Sequence, residues 1–380
     1  MDGSIIYLPT LATFKDDIEI SYNLLEPFKE RDYKTGLMLI SRGEGDLTPE
    51  NIKLQIENLK AFIKDKDIKI FFMFPNKPLD GPNRLNFLNN QKYSIEYISK
   101  GINFVNNLYE ELGDSVEKLM SFHTNSLTLE NFPRVNYEEE WDFVKNGLEE
   151  VLGYAKERNV SLGIENVPVP EFGDIKKDEN SLLRDSFWKN ELNETGKNEA
   201  YWCDLGNPFP IFPWRGLDEI RDIGFRWVLD TCHLKISYKV LEFVFNNYHN
   251  KDSIILSEIF NTFKGIDFHD ISRYWGHKEG YDGTLISRVT KFLKEGDIIQ
   301  LNNSRGIYNP FENPVKYHKE GIALDGGDIS TKDMEKIIKK LIKGKYHIVL
   351  ELNETDFKNR PNTKKSIDFM INVMDQDSKA

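Results

Sequence analysis

The chain has 380 residues, of which 39% are hydrophobic and 29% charged, a composition typical of one large or two ordinary globular domains. Its net charge of −12 argues against a nucleic-acid partner, because nucleic-acid affinity usually depends on a basic surface. The longest apolar run, Ile70–Phe74, is too short to span a bilayer, and the N-terminus has no signal-peptide pattern. The two cysteines, Cys203 and Cys232, form no metal-type pair and favour a reducing compartment, so we expect a cytoplasmic protein without a membrane partner.

Eight short apolar runs predict β-strands along the chain. The runs are continuous rather than alternating, which is typical of parallel strands covered on both faces. In chain order they begin at Ile5, Gly36, Ile68, Lys118, Ser161, Arg226, Asp297 and His347.

Amphipathic segments between these runs predict helices. The clearest begins at Thr48, a residue type favoured at the N-cap, followed by Pro49 at the first helical position. Residues 93–112, 137–157 and 331–345 show the same helical spacing of apolar residues. Eight strand-then-helix units predict an α/β fold, a (β/α)8 TIM barrel.

Two connections are too long for ordinary loops. Residues 166–214 follow the fifth predicted strand, and residues 234–296 follow the sixth. Because both come after a strand, they would lie at the C-terminal face of the barrel, where active sites form. The sequence therefore predicts a single domain over residues 1–380 with two long insertions at that face.

Polar residues stand at the carboxyl ends of five consecutive predicted strands. Carboxylates and imidazoles that converge there repel or stay unsatisfied unless something holds them, and a divalent cation does so. Taken singly, each also fits a structural role as a helix cap, a salt-bridge partner or a hydrogen-bonded histidine. Their coincidence on five strands favours a metal site. The residues are His123, Glu165, Asp230 with His233 just beyond it, Gln300 and Glu351.

Five motifs occur in an order that resembles the xylose isomerase-like TIM-barrel superfamily. They are "GIEN", "VLDTCH", "IIQLNNSRG", "LDGGDI" and "IVLEL". This superfamily holds endonuclease IV (the AP endonuclease family 2 group) and many sugar isomerases and epimerases. "LDTCH" and "SFHTNS" are similar to motifs of endonuclease IV. The resemblance covers the barrel but not the two insertions.

The resemblance implies a shared metal site made of Glu165, Asp230, Gln300 and Glu351. The superfamily usually has a histidine where this chain has Gln300, and a glutamine oxygen suits Mg²⁺ or Mn²⁺ better than zinc. The resemblance also implies possible second-metal or substrate residues, which are His123 and the displaced His318. A histidine that endonuclease IV carries on the preceding strand is replaced here at or near Phe74. We therefore expect one divalent ion (Mn, Mg or Zn) rather than three zinc ions.

The epimerase branch implies catalytic roles for three residues. Glu165 and Glu351 would each move a proton at the substrate carbon, and His233 would contact a substrate oxygen. Glu171 stands six residues after Glu165, as in that branch, and Arg305 lies close to an arginine position. Both are candidate substrate residues, although Glu171 fits a solvated loop equally well.

The second insertion contains a short segment rich in histidine and tryptophan. His269 lies in this segment, "FHDISRYWGHKEGYDG". Such a segment fits a surface loop that packs against the rest of the protein, and it also fits a lid that supplies substrate or metal contacts. Both interpretations stay open.

The sequence predicts a metal-dependent isomerase or epimerase of a sugar or polyol, acting by proton transfer next to a carbonyl. Two alternatives remain. One is a phosphodiesterase similar to endonuclease IV, which "LDTCH" and His123 favour; the other is a repurposed, non-catalytic barrel, which Gln300 favours. The expected partner is a small sugar-like molecule, and a homo-oligomer stays open.

Overall fold

The computed structural model of this protein describes the chain in thirteen stretches. These are residues 3–41, 43–64, 66–74, 85, 87, 90–124, 127–128, 137–166, 171–172, 202–204, 220–236, 293–305 and 319–377. No helix within these stretches combines the length and the apolar character that a membrane crossing requires.

Eight parallel strands form a closed barrel, as the sequence predicts. The strands of the described residues, in chain order, are β1 (Ile5–Thr10), β2 (Lys34–Ile40), β3 (Lys69–Met73), β4 (Val116–Phe122), β5 (Leu127–Thr128), β6 (Ser161–Glu165), β7 (Glu171–Phe172), β8 (Trp202–Asp204), β9 (Arg226–Asp230), β10 (Ile298–Leu301), β11 (Asn303–Arg305), β12 (Lys319–Ile322) and β13 (His347–Leu350). The barrel order is β1-β13-β10-β9-β6-β4-β3-β2. All eight predicted runs supply its strands, so the (β/α)8 prediction is confirmed.

Within the described stretches the helices are α1 (Lys15–Leu24), α2 (Glu26–Lys29), α3 (Pro49–Ile63), α4 (Gln91–Leu112), α5 (Tyr137–Glu157), α6 (Thr331–Ile342) and α7 (Pro361–Asp377). Four of the described helices, α3 to α6, match the segments that sequence periodicity predicts. The predicted cap of α3 is confirmed, because the side chain of Thr48 accepts a hydrogen bond from the backbone N–H of Asn51. Short 3-10 helices cover Glu44–Leu47 and Gly113–Ser115, and residues 231–236 are helical.

The core has two layers, one inside the barrel and one between the strands and the helices. Inside, Tyr7 packs edge-on against Phe71 with ring centroids 4.8 Å apart. The Tyr7 ring fills the space beside Gly36, where a Cβ atom would lie only 2.2 Å from Cε1 of the tyrosine. A side chain at position 36 would therefore compete with Tyr7 for the same volume.

A polar cluster closes the amino end of the barrel. Nδ1 of His347 lies 3.2 Å from the Tyr7 hydroxyl and 3.4 Å from Oε2 of Glu117. Arg226 donates a hydrogen bond to the Gly296 carbonyl at 2.8 Å, and its guanidinium lies 3.5 Å from Nε2 of His347. Burial, followed by the charge of Arg226, lowers the pKa of His347 to about 3. The imidazole at this end is therefore neutral at physiological pH.

Small antiparallel sheets lie outside the barrel. One has the order β5-β8-β7, and the other is the pair β11-β12, which follows β10. β7 and β8 fall within the first predicted insertion. The rest of residues 166–214, and nearly all of residues 234–296, lie outside the described residues, so the single-domain organisation stays a prediction.

Candidate functional site

The structure brings the polar strand-end residues to one end of the barrel. Glu165 and Asp230 are the last residues of β6 and β9, and Gln300 pairs with Asp230 in the register of β10 and β9. His123 directly follows β4, and Glu351 directly follows β13. Because the strands are parallel, all their carboxyl ends meet at the same face, which is where barrel enzymes carry their active sites.

Glu165 lies at the centre of this group and is surrounded by nitrogen atoms. Its Oε2 accepts a hydrogen bond from Nε2 of Gln300 at 3.0 Å and lies 3.1 Å from Nε2 of His123. Its Oε1 lies 3.3 Å from Nδ1 of His233. Burial alone would raise the pKa of Glu165, but the two imidazoles outweigh burial and lower it to about 2. Glu165 is therefore an ionised carboxylate although its side chain is buried.

The backbone of Asp230 is held by a side chain that makes the hydrogen bonds a neighbouring β-strand would make. The Asn166 side chain accepts from the Asp230 backbone N–H at 2.7 Å and donates to the Asp230 carbonyl at 3.1 Å. The backbone N–H of Asn166 also donates to Val228, so this residue extends the β6–β9 ladder beyond Glu165. The extension holds Asp230 in register with Gln300, and it requires the amide of an asparagine because both a donor and an acceptor are used.

The Asp230 carboxylate also caps the helical turn that follows it. Its Oδ1 accepts from the backbone N–H of His233 at 2.8 Å, and its Oδ2 accepts from Nδ2 of Asn302 at 2.7 Å. The capping role considered for Asp230 is therefore real. Capping does not exclude ligation, since each carboxylate oxygen has two lone pairs. Burial is the main cause that raises the pKa of Asp230, and the charge of His233 offsets part of it.

His233 connects the buried carboxylates with the mouth of the barrel. Its Nδ1 lies 2.9 Å from the Asn166 carbonyl, and its Nε2 lies 4.0 Å from Oε2 of Glu320 on β12. Burial would lower the pKa of His233, but Asp230, Glu165 and Glu320 together raise it well above the ordinary value. The carboxylates around His233 therefore favour its protonated form, whose charge balances part of theirs.

Gln300 and Glu351 each present a buried oxygen to the site. Oε1 of Gln300 and Oε2 of Glu351 have no hydrogen-bond partner among the described residues. Buried polar atoms are nearly always paired, so unpaired acceptor oxygens next to carboxylates fit a cation. Burial, and then the charges of Glu165 and Asp230, raise the pKa of Glu351 well above its ordinary value. These surroundings favour the neutral form of the Glu351 carboxyl.

Structure comparison identifies the fold. A xylose isomerase domain protein from Planctomyces limnophilus matches 100% of this chain and 99% of its own, at 8% identity and a TM-score of 0.51. The chain has the fold of a xylose isomerase-like TIM barrel. A D-psicose 3-epimerase from Clostridium cellulolyticum H10, in complex with D-tagatose, also matches, at 12% identity over 99% and 98% of the two chains with a TM-score of 0.46. So does an AP endonuclease, family 2, from Brucella melitensis, at 7% identity over 94% and 96% with a TM-score of 0.45.

Sequence comparison alone detects no relative of this chain. No family model matches the chain, and no curated protein does. The structural match shows the barrel fold that the motif resemblance implies.

Four further residues were candidates for a second metal or for substrate. Arg305, on β11, is exposed, and its guanidinium donates to the Gly326 carbonyl. Glu171 lies on β7 in the small three-stranded sheet. His269 and His318 lie outside the described residues. The roles of all four stay predictions.

The structure adds four residues that the sequence analysis did not place in the site. Asn166 and Asn302 lie inside the quoted motifs "GIEN" and "IIQLNNSRG", but only the charged or metal-ligating residues of these strands carried a chemical signal. Glu320 had no strand-end or motif signal at all. Cys232 is 1% exposed and lies between Asp230 and His233 in the chain. Burial, followed by Asp230 and Glu320, raises the pKa of its thiol well above the ordinary value.

Proposed function

We propose that the protein is a metal-dependent isomerase or epimerase of a sugar or related polyol that moves a proton on a carbon next to a carbonyl. The observation that carries this proposal is the pair Glu165 and Glu351, two carboxyls at one barrel end whose pKa values are shifted in opposite directions. Titratable pairs whose environments separate their pKa values are typical of acid–base catalysis.

We assign one divalent ion to the carboxyl end of the barrel. Glu165, Asp230, Gln300 and Glu351 would hold it, and the unpaired oxygens of Gln300 and Glu351 are the support for this assignment. Four oxygen ligands suit Mg²⁺ or Mn²⁺ well, while Zn²⁺ accepts carboxylates but prefers nitrogen and sulfur. When bound, the ion would polarise the substrate carbonyl and make the neighbouring C–H bond more acidic.

The two glutamates would divide the proton transfer between them. Glu165 would take the proton from the substrate carbon as a carboxylate, and Glu351 would return a proton that it receives from solvent on the oxygen not bound to the ion. In the reverse direction the roles exchange. His233, which carries a proton on the metal-free site, would donate a hydrogen bond to a substrate oxygen and keep it oriented.

Metal content and hydrogen exchange test this proposal together. Elemental analysis of protein reconstituted with Mn, Mg or Zn should give about one equivalent, lost in a Glu165→Gln, Glu351→Gln double variant. In heavy water, a panel of ketoses and aldoses should then reveal a substrate that gains deuterium next to its carbonyl. Glu165→Gln alone should slow this exchange by about 10²–10⁴-fold. Glu117→Gln, at the opposite end of the barrel, is the matched control and should leave it unchanged.

One observation keeps the phosphodiesterase as a second candidate. Nε2 of His123 lies 3.1 Å from Oε2 of Glu165, and this imidazole and carboxylate would be two ligands of a second metal. Cleavage of a duplex containing an abasic site, at low salt and dependent on two or three equivalents of zinc, would replace the isomerase proposal. Failure of the reconstituted protein to hold any metal would leave the repurposed barrel.

A further inference from the structure

The outer face of α6 and the residue that follows it carry a stripe of lysines. At 3.6 residues per turn, five lysines fall within an arc of about 100°, and the stripe is about 16 Å long. All five side chains are exposed or half-buried, while the opposite face of the helix is buried in the core. The lysines of this stripe are Lys332, Lys336, Lys339, Lys340 and Lys343.

Only part of this positive charge is neutralised within the molecule. Lys336 lies 3.3 Å from Asp333, and Lys343 lies 2.8 Å from Asp377. Lys332 and Lys339 make no ion pair with the described residues. Because the whole chain has a net charge of −12, the lysine stripe is a local reversal of sign, and such a surface attracts a negatively charged partner.

The outer face of α5 carries a stripe of the opposite charge. Four carboxylates lie within an arc of about 100° and extend over about 22 Å. All four side chains are exposed, and two of them, Glu149 and Glu150, make no ion pair with the described residues. The width and the length of this stripe are similar to those of the lysine stripe. Its carboxylates are Asp142, Glu149, Glu150 and Glu157.

The carboxylate stripe also has features that suit contact with another helix. Gly153 lies within it, and a Cβ atom at this position would meet no atom within 4 Å, so a partner helix can approach closely here. Phe143 borders the stripe and is 43% exposed. An exposed aromatic ring packs against the methylene groups of lysine and attracts its charge. Lysines of a partner would therefore meet both carboxylates and an aromatic ring.

The two stripes cannot meet within one molecule. α5 joins β4 to β6, and α6 precedes β13, so the two helices are separated around the barrel by β6, β9 and β10. Because the stripes face different directions, a two-fold axis cannot place both stripes of one copy against both stripes of another. A contact between α6 of one copy and α5 of the next is therefore heterologous, and contacts of this kind build rings or filaments.

We propose that the protein self-associates head to tail, with the lysine stripe of one copy against the carboxylate stripe of the next. Single exposed ion pairs contribute little, so the association is weak and depends on several pairs formed together. At about 0.1 M ionic strength the Debye length is about 10 Å, which screens the overall repulsion between two negative molecules more than pairs in contact. At about 1 M it is about 3 Å, and the pairs are screened as well. The contact is independent of the proposed isomerase reaction.

Charge reversal on each stripe tests the pairing. In sedimentation velocity at about 0.1 M salt, the mass of the wild type should rise with concentration beyond that of a dimer, and about 1 M salt should restore the monomer. The Lys332→Glu, Lys339→Glu variant should associate at least about tenfold more weakly, and so should Glu149→Lys, Glu150→Lys. An equimolar mixture of the two variants should associate again, because each stripe then finds one of opposite charge on the other protein.

Lys53→Glu, Lys64→Glu on α3 is the matched control. It changes the net charge by as much as the lysine-stripe variant but lies away from both stripes, so it should associate as the wild type does. A wild type that is monomeric at about 0.1 M salt, an assembly that stops at the dimer, or a mixture that stays monomeric would each overturn the proposal. If monomeric wild type bound vesicles of anionic lipid and Lys332→Glu, Lys339→Glu did not, the lysine stripe would face a lipid surface instead.

Discussion

The two ends of the barrel hold the same kinds of titratable side chains in opposite charge states. At the carboxyl end, Asp230, Glu165 and Glu320 raise the pKa of His233 well above its ordinary value. At the amino end, burial and Arg226 lower the pKa of His347 to about 3, although Glu117 lies only 3.4 Å from its ring. Both histidines are largely buried, so the charge of the surrounding groups decides the state of each imidazole.

The comparison indicates which end of the barrel holds ionised side chains. At the amino end, burial raises the pKa of Glu117 and so favours its neutral carboxyl. The imidazole of His347 is neutral as well, and its Nδ1 lies within hydrogen-bond distance of the Tyr7 hydroxyl. At the carboxyl end, ionised Glu165 lies against the imidazoles of His123 and His233. In barrel enzymes the first end contributes stability and the second carries the chemistry, and the charge states follow that division.

The comparison predicts opposite pH dependence for the two histidines in metal-free protein. The folded pKa of His347 is lowered, so its contribution is present above the unfolded value near 6.5 and is lost as pH falls towards about 3. The total change is roughly 5 kcal/mol. The folded pKa of His233 is raised, so its contribution is present below the unfolded value and is lost as pH rises through the folded pKa.

Urea unfolding across a pH series checks this prediction with His347→Gln and His233→Gln. The difference in unfolding free energy between wild type and His347→Gln should shrink as pH falls below about 6.5. The difference for His233→Gln should instead shrink as pH rises. Parallel curves for the two variants would remove the contrast between the barrel ends.

The fold was predictable because its signals are local in the sequence. Continuous apolar runs gave all eight barrel strands, and Thr48 with Pro49 marked the start of α3 correctly. The gathering of Glu165 and Asp230 at one face follows from the parallel arrangement alone, since every carboxyl end of such a barrel points the same way.

The hydrogen bonds and contacts within the site could not be predicted from the sequence, and the reason is physical. Whether a strand-end aspartate caps the next turn, as Asp230 does, depends on its rotamer and on partners distant in the chain. Asn302 acts on Asp230 from a different strand, and Glu320 reaches His233 from a hairpin that the sequence did not indicate. Sequence reasoning located the residues that carry charge but not those that orient them.

A second prediction concerns the asparagine that extends the β6–β9 ladder. Asn166→Ala removes the two side-chain hydrogen bonds to the buried backbone N–H and C=O of Asp230, so the free energy of unfolding should fall by about 2–3 kcal/mol. Because Asp230 is then no longer held, metal affinity should fall as well, by about 10-fold or more. Urea unfolding and metal titration measure the two effects.

Asn58→Ala is the control for this variant. Asn58 is equally buried on α3, and its amide donates to the carbonyls of Ala12 and Thr13 at 3.0 and 3.3 Å. Its loss should cost a similar stability of about 1–3 kcal/mol without changing metal affinity. If both variants weakened metal binding equally, Asn166 would act through general stability rather than through Asp230.

The smallest expected effect concerns the packing of Gly36 against Tyr7 inside the barrel. In Gly36→Ala the new methyl group would lie 2.2 Å from the Tyr7 ring, so Tyr7 must move and the free energy of unfolding should fall by about 1–3 kcal/mol. Gly153→Ala, on the open face of α5, meets no atom within 4 Å and should stabilise the protein by up to about 1 kcal/mol through helix propensity. Thermal unfolding distinguishes the two, and metal binding should be unchanged in both. A Gly36→Ala protein that unfolded normally but bound metal weakly would show that strain passes along the barrel from Tyr7 to the carboxyl end, and the two ends would then not be independent.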